Sequence, residues 1–315
     1  MKRFVLIGAA GFVAPRHMLA IKETGNNLVA AMDPNDSVGV IDSHFPDAAF
    51  FTNMKELNSF VMAQQENDDP IDYFAICSPN HLHEAHITAG LSAGANVICE
   101  KPLVLDVDAV DRLIALEQEA VGKANTILQL RLHPTIINFR SAMQQAAANN
   151  IQTDVDLTYI TSRGKWFLKS WKGQEEKSGG IAANIGIHFF DMLCWVFGPV
   201  KDIQLHRMSP TKAAGILEFE HARVRWFLSI DRSDLPATAI HEGKTTFRNV
   251  TVNGENLEFS DGFVDLHTQS YLQIMNGNGY AVSEARQAIE IVETIRQMAP
   301  DISAEDRHPF INDKS

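Results

Sequence analysis

Three short segments hold residue types able to handle a cofactor and a hydroxyl group. The first, Gly8-Ala9-Ala10-Gly11-Phe12-Val13-Ala14, follows the apolar run Phe4-Val5-Leu6-Ile7. Gly8 permits a tight turn, Gly11 lets backbone approach a pyrophosphate, and the helix start beyond Phe12 offers the positive end of its dipole. The loop departs from G-x-G-x-x-G, because Ala10 and Val13 stand where the second and third glycines would be. Asp33 ends the next apolar run about 20 residues further on, where a carboxylate accepts ribose hydroxyls and repels a 2′-phosphate. Loop and acid together select NAD over NADP. The plain alternative for Asp33 is a helix cap ahead of Pro34.

The other two segments are Ser78-Pro79-Asn80-His81-Leu82-His83 and Glu100-Lys101-Pro102, each closing an apolar run. Ligands of a doubly wound sheet lie beyond the carboxyl ends of its strands, which makes Ser78, Asn80, His83, Glu100 and Lys101 candidates for the cofactor. An ammonium at that place can hydrogen-bond a substrate hydroxyl and stabilise alkoxide character as hydride leaves. Otherwise Lys101 is a solvated surface lysine. His81, His83 and His86 have only Glu84 nearby and no cysteine, so they read as a capped helix start, and no metal is expected.

The elements that must position these residues alternate. Strands are expected at Phe4–Ile7, Leu28–Met32, Ala49–Phe51, Ile71–Cys77, Asn96–Cys99 and Thr126–Leu130. Helices are expected at Ala14–Thr24, Met54–Gln64, His81–Ala93 and Asp106–Ala120. Such alternation predicts an α/β fold: an N-terminal Rossmann domain with a doubly wound parallel sheet. Beyond about residue 150 the strands lengthen and alternate in polarity, at Asp154–Ser162, Asp202–Arg207, Gly215–Phe219, Val224–Asp231 and within Lys244–Phe259, where Asn253-Gly254 signals a hairpin. With helices at Ile181–Val196 and Ser283–Met298, this describes a C-terminal α+β domain with a large open, mostly antiparallel sheet. The expected division is 1–125 for the dinucleotide and 126–315 for substrate and oligomerisation.

Composition excludes several partners. The formal charge of -12 disfavours nucleic acid and anionic membrane surfaces. No signal peptide is evident, and no run is read as approaching the roughly 20 apolar residues of a membrane span. Cys77, Cys99 and Cys194 are scattered in apolar runs and read as reduced, buried thiols. A soluble, cytoplasmic protein is expected.

These segments, in this order, resemble the Gfo/Idh/MocA oxidoreductase family (glucose-fructose oxidoreductase and inositol dehydrogenase). The likeness rests on the glycine turn, Ser78-Pro79-Asn80-x-x-His83, Glu100-Lys101-Pro102 and Gly179-Gly180-Ile181-Ala182-Ala183-Asn184-Ile185-Gly186-Ile187-His188-Phe189-Phe190-Asp191. It implies NAD(P)-dependent oxidation or reduction of sugars, with Lys101 and His188 in the active site. Many members carry Asp where Asn184 stands. An amide relays no proton, which leaves His188 as the general base and Asn184 to orient substrate. On a regular helix Asn184, His188 and Asp191 share one face, which places Asp191 with Asn184 among the substrate-binding candidates. Taken alone, His188 would read as a core histidine.

A narrower likeness, to the WlbA/WbpB branch of that family, rests on Gly8 through His17, Asp36-Ser37-Val38-Gly39, Gln129-Leu130-Arg131-Leu132-His133-Pro134 and Arg163 through Gly173. That branch oxidises the 3-hydroxyl of UDP-N-acetylglucosaminuronic acid (UDP-GlcNAcA) in surface polysaccharide (lipopolysaccharide O-antigen) biosynthesis. A uronate and a diphosphate need local cations in an acidic protein, and Arg163, Lys165, Lys169 and Lys172 cluster before the His188 segment. Trp166 and Trp171 can flank a uracil or a sugar face. Alternatively the segment is a basic surface loop. The resemblance implies a small nucleotide-sugar partner and a homo-oligomer, dimer or tetramer. The competing functions are another sugar or inositol dehydrogenase of the family and a non-catalytic NAD-binding regulator.

Overall fold

Short apolar runs closed by glycine or polar turns build the first unit of this computed structural model, which describes residues 1–258 and 265–311. That unit comprises Met1–Leu132 and Val264–Arg286. β1 (Arg3–Ile7) is enclosed from Phe4 onward; α1 (Ala14–Glu23) carries Pro15 in its first turn and gives way to Gly25 in the left-handed region. β2 (Asn27–Met32), β3 (Ala49–Phe51), α2 (Met54–Glu66), β4 (Tyr73–Ile76), α3 (His83–Ser92), β5 (Asn96–Cys99), α4 (Val107–Glu119) and β6 (Ala124–Thr126) continue the alternation. Asn53 and Asp106 cap α2 and α4, accepting from Glu56 N at 3.0 Å and Ala109 N at 2.8 Å.

The strands run β6-β5-β4-β1-β2-β3 with every neighbouring pair parallel, which is the expected doubly wound sheet. The order reverses between β1 and β4, and the carboxyl ends at such a switch point are where doubly wound sheets take ligands. Covered on both faces, β1 and β4 need no polar alternation. Phe4 stacks on Tyr73 with ring centroids 4.8 Å apart.

The expected sixth strand, Thr126–Leu130, is overturned beyond Thr126. A 3₁₀ turn, Gln129–Leu132, takes its place. Arg131 explains the break: its guanidinium is buried, 2.6 Å from Glu284 and 4.8 Å from the Tyr280 ring centroid, a placement the strand would not give it.

The second unit comprises His133–Phe263 and Gln287–Ser315. It begins with α5 (Pro134–Ala148), a helix that the sequence reading did not include. β7 (Thr153–Thr161), α6 (Trp166–Lys169), α7 (Glu175–Ser178), α8 (Ile187–Phe197), β8 (Asp202–Met208), β9 (Lys212–Glu218), β10 (Ala222–Ser229), α9 (Ala237–His241), β11 (Thr246–Val252) and β12 (Glu255–Asn256) follow. The sheet order is β12-β11-β7-β10-β9-β8, antiparallel except for β7 beside β10. Asn253 and Gly254 have positive φ and close the hairpin between β11 and β12. Phe259, the end of the predicted strand region, lies outside the described residues.

Two expectations about the segment before β8 are corrected. Ala182–Gly186 forms a π turn ahead of α8, so Asn184, His188 and Asp191 do not continue one regular α-helical face. Gly186 marks the reason: a Cβ there would meet Leu228 Cδ1 at 2.6 Å and Phe190 Cε2 at 2.9 Å. The backbone presses onto β10 at this point. Glu175–Phe197 also reaches the length and hydropathy of a membrane span, contrary to the sequence reading. Its most apolar stretch is 72% buried inside the fold, as in a core helix.

The chain then rejoins the first unit. α10 (Leu266–Met275) packs on α1, where Thr268 Oγ1 donates to Glu23 at 2.7 Å, and β13 (Tyr280–Ala281) pairs antiparallel with β6. Tyr271 is fully enclosed in the core around Phe4. α11 (Arg286–Gln297), from Gln287 onward, belongs to the second unit. The linear division read from the sequence contains no such excursion.

Candidate active site

The glycine turn is held by close packing. Gly8 has φ +94°, and a Cβ on it would lie 2.6 Å from the Cys77 carbonyl carbon and the Ser78 nitrogen. Gly11 donates to Gly8 O at 2.9 Å, and a Cβ there would meet that same oxygen. Any side chain at Gly8 would push β1 from β4 at the switch point. Phe12 stands 86% exposed at the loop tip, with the Arg16 guanidinium 6.0 Å from its ring.

Asp33 ends β2 beside this turn. Its Oδ2 accepts the Ala10 N–H at 3.0 Å and its Oδ1 accepts the Asn35 N–H at 2.9 Å. No helix starts until the 3₁₀ turn Gly39–Ser43, so the helix-cap alternative fails. A carboxylate offers about four lone-pair sites, and two hydrogen bonds leave capacity for ribose hydroxyls. The turn that only glycine fits at position 8, the α1 N-terminus and this acid fit a dinucleotide.

At the β4 end, Ser78 Oγ lies 2.8 Å from His86 Nδ1, and both residues are buried, as is Asn80. Burial lowers His86 to about 4, which keeps it a neutral ring at pH 7. His83 ties two loops together: Nε2 is 2.8 Å from Ser78 O, and Nδ1 is 2.7 Å from Pro102 O. Burial pushes its pKa down against the pull of those carbonyls. The histidine run therefore braces the β4 and β5 ends, and among the described residues it forms no metal-binding group.

Glu100 is buried at the β5 end, and its partners were missed by the sequence reading. Its Oε1 lies 3.2 Å from His17 Nε2 and 2.8 Å from His267 Nε2; its Oε2 accepts the Lys101 N–H at 3.2 Å. Burial acts to raise the Glu100 pKa, but the two histidine hydrogen bonds outweigh it and hold the carboxyl well below its usual range. His17 is pushed down by burial and is neutral. Donation from its Nε2 leaves Nδ1 as acceptor for the Tyr271 hydroxyl at 2.7 Å. Burial drives Tyr271 upward, so that hydroxyl keeps its proton. His17, Glu100 and His267 also have the composition of a small cation site, with ligand atoms within 4.8 Å of one another. With Nε2 the donor on both histidines, each of these contacts is a hydrogen bond. Lys101 follows, half-buried and joined to Pro102 by a cis peptide. Burial pushes the Cys77 and Cys99 thiols well above their usual range, which leaves them unreactive.

The second unit holds the remaining candidates. Arg163 leaves β7, its N–H donating to Ile230 O at 3.0 Å, and its side chain is exposed, as are Lys165 and Lys169. Trp166 is 57% exposed. Trp171 and Lys172 are half-buried, with the ammonium 4.1 Å from the indole centroid. Asn184 Nδ2 donates to Lys172 O at 3.3 Å and Gly180 O at 3.2 Å, fastening this loop to the π turn. His188 is half-buried on the first turn of α8, and Asp191 is enclosed one turn on.

Comparison with known proteins agrees with these features. Residues 2–125 match the family model for the oxidoreductase family, NAD-binding Rossmann fold, and residues 151–305 match its C-terminal alpha/beta domain. The WlbA (WbpB) dehydrogenase from Thermus thermophilus is 46% identical with TM-score 0.94, over 98% of this chain and 100% of that one. It was crystallised with NAD and alpha-ketoglutarate and with NAD and UDP-GlcNAcA. Among curated relatives, a putative oxidoreductase, YteT, of Bacillus subtilis is 26% identical over 40% of this chain and 30% of its own length. The 1,5-anhydro-D-fructose reductase of Ensifer adhaerens is 26% identical over 62% and 56%. The chain thus spans about a third to a little over half of these curated relatives. The chain is an oxidoreductase with an NAD-binding Rossmann domain, and it belongs to the Gfo/Idh/MocA family.

Proposed function

We propose that this chain oxidises the C3 hydroxyl of UDP-N-acetylglucosaminuronic acid to the 3-keto nucleotide sugar, with NAD as hydride acceptor, in surface polysaccharide biosynthesis. The observation that carries this reading is the likeness, along nearly the whole chain, to a dehydrogenase crystallised with that cofactor and that nucleotide sugar.

In this reading Gly8, Gly11, Phe12, Asp33, Ser78, Asn80, His83 and Glu100 form the cofactor side. Held there, NAD would supply the hydride acceptor for C3. Lys101 hydrogen-bonds the C3 oxygen and stabilises its negative charge as the carbonyl forms. His188 removes the hydroxyl proton. Asn184 orients the sugar and relays no proton, its amide being committed to two carbonyls. Arg163 and Lys172 bind the carboxylate and diphosphate, and Trp171 covers a sugar or base face. Asp191, being enclosed, supports the helix that carries His188. The enzyme works as a cytoplasmic homo-oligomer, dimer or tetramer, which sedimentation at several protein concentrations tests.

Stoichiometric enzyme mixed with NAD and UDP-GlcNAcA tests the substrate. The expected result is NADH absorbance and a sugar product lighter by two hydrogens. Equal NADH formation from UDP-N-acetylglucosamine, which lacks the carboxylate, would show that the uronate is not what the site selects.

A further inference from the structure

We propose that His17 and His267 are positioning residues for Lys101, acting through the Glu100 carboxylate that they jointly clamp; this rests on the reading of Lys101 given above. The geometry is a continuous chain of hydrogen bonds that converges on one carboxylate. The Tyr271 hydroxyl donates to His17 Nδ1, His17 Nε2 and His267 Nε2 donate to Glu100 Oε1, and the Lys101 N–H donates to Glu100 Oε2. One carboxylate oxygen is thus held by α1 and α10, while the other holds the backbone of the lysine. Glu100 comes from the β5 end, His17 from α1 and His267 from α10, 167 residues further along the chain.

A buried carboxylate stays ionised only where donors replace the water it has lost. Here two of the three donors are imidazoles, and each is fixed by its own surroundings. The rings of His17 and His267 meet edge to face at 5.4 Å, and His17 also meets Tyr271 at 5.8 Å. The other titratable groups that face Glu100 are Cys77 at the end of β4, Cys99 on its own strand and His83 from α3. None of these is an anion at neutral pH, and none can take over as a donor of the same strength. Removing one imidazole therefore weakens the grip on both the charge and the position of Glu100, and the backbone of Lys101 follows. The helix α10 has this task although it lies far from the Rossmann segment in sequence.

The test compares His267→Leu, which removes the N–H, with His267→Gln, which keeps an amide N–H. Expected for His267→Leu is a kcat at least tenfold lower with the KM for nucleotide sugar within about twofold of wild type. Its kcat–pH profile should gain an acid limb at higher pH than wild type, because Glu100 then protonates more readily. His267→Gln should recover most of kcat and the original profile. A purely structural role predicts a lower Tm and a pH-independent loss shared by both variants, and that outcome would overturn the proposal. The acylation rate of Lys101 by an amine-reactive reagent, read by peptide mass, needs no substrate and separates this idea from the assigned reaction. It should rise in His267→Leu and not in His267→Gln. If wild type turns over no UDP-GlcNAcA yet Lys101 acylation responds in this way, the reaction is wrong and the clamp stands; an unchanged acylation rate in both variants refutes the clamp.

Discussion

The candidate residues of the two units are held in opposite ways. At the sheet crest of the first unit they are buried and mutually hydrogen-bonded: Ser78 with His86, His83 with two carbonyls, and Glu100 with two histidines and the next backbone N–H. In the second unit the cations Arg163, Lys165 and Lys169 stand in solvent, and one amide, Asn184, fastens their loop to the π turn. The proposed cofactor side is thus built in advance, whereas the proposed nucleotide-sugar side holds charges that a ligand would strip of water. The lesson is thermodynamic. Substitutions of the buried, hydrogen-bonded crest residues should change folding and binding together, and loop substitutions should change binding alone.

The sharpest trial of that contrast is at the two proposed catalytic residues. Lys101→Ala and His188→Ala should each lower kcat by about 10²–10⁴-fold while the Kd for NAD stays near wild type. Near-normal turnover in both would dissolve the assignment. Gly8→Ala ranks next. The backbone there has φ +94° and the new methyl would clash with the Cys77 carbonyl carbon, so calorimetry should show weaker NAD binding together with a lower Tm. An unchanged Tm would break the claim that this turn is preformed. Arg163→Ala and Lys172→Ala should raise the KM for UDP-GlcNAcA by roughly tenfold to a hundredfold, the worth of a charge-assisted hydrogen bond, with Tm unchanged. A Tm loss there would erase the difference between the units.

The crest and its motifs were legible because each piece is local. The strand ends at Ile7, Ile76 and Cys99 deliver Gly8, Ser78 and Glu100 within two residues, and an apolar run followed by a polar motif shows this in one dimension. The clamp on Glu100 was not legible, since His267 and Tyr271 come from a helix that the pattern search left unassigned. Leu266, His267, Ser270, Tyr271 and Ile274 are its buried positions, a helical spacing. α5 has Pro134 in its first turn and an Ala-rich end, local signals that overlap the His133-Pro134 motif. The π turn at Ala182–Gly186 depends on Gly186 meeting Leu228 and Phe190, contacts set by tertiary packing and absent from local propensity.

The smallest expected effect concerns pH, and here the two units behave alike. His86 in the first unit is held at about 4, and His308 in the second at about 3, each chiefly by burial. Both lie below the unfolded value of 6.5. Between those values the unfolded chain binds more protons than the folded one, so stability is full above 6.5 and declines as pH falls toward the folded values. Tm should drop as pH falls from 6.5 toward about 4, and the decline should be shallower in His86→Asn and in His308→Asn. Identical slopes in wild type and both variants would show that these rings do not set the acid limit.

The central claim is that hydride leaves C3 of a nucleotide sugar. Its most direct measurement uses UDP-GlcNAcA carrying deuterium at C3, with mass analysis of cofactor and sugar after a single turnover. The label should appear on the reduced cofactor, and NADH formation should slow relative to unlabelled substrate where hydride transfer limits it. Deuterium retained on the sugar while reduced cofactor forms would place the chemistry at another carbon and contradict the account.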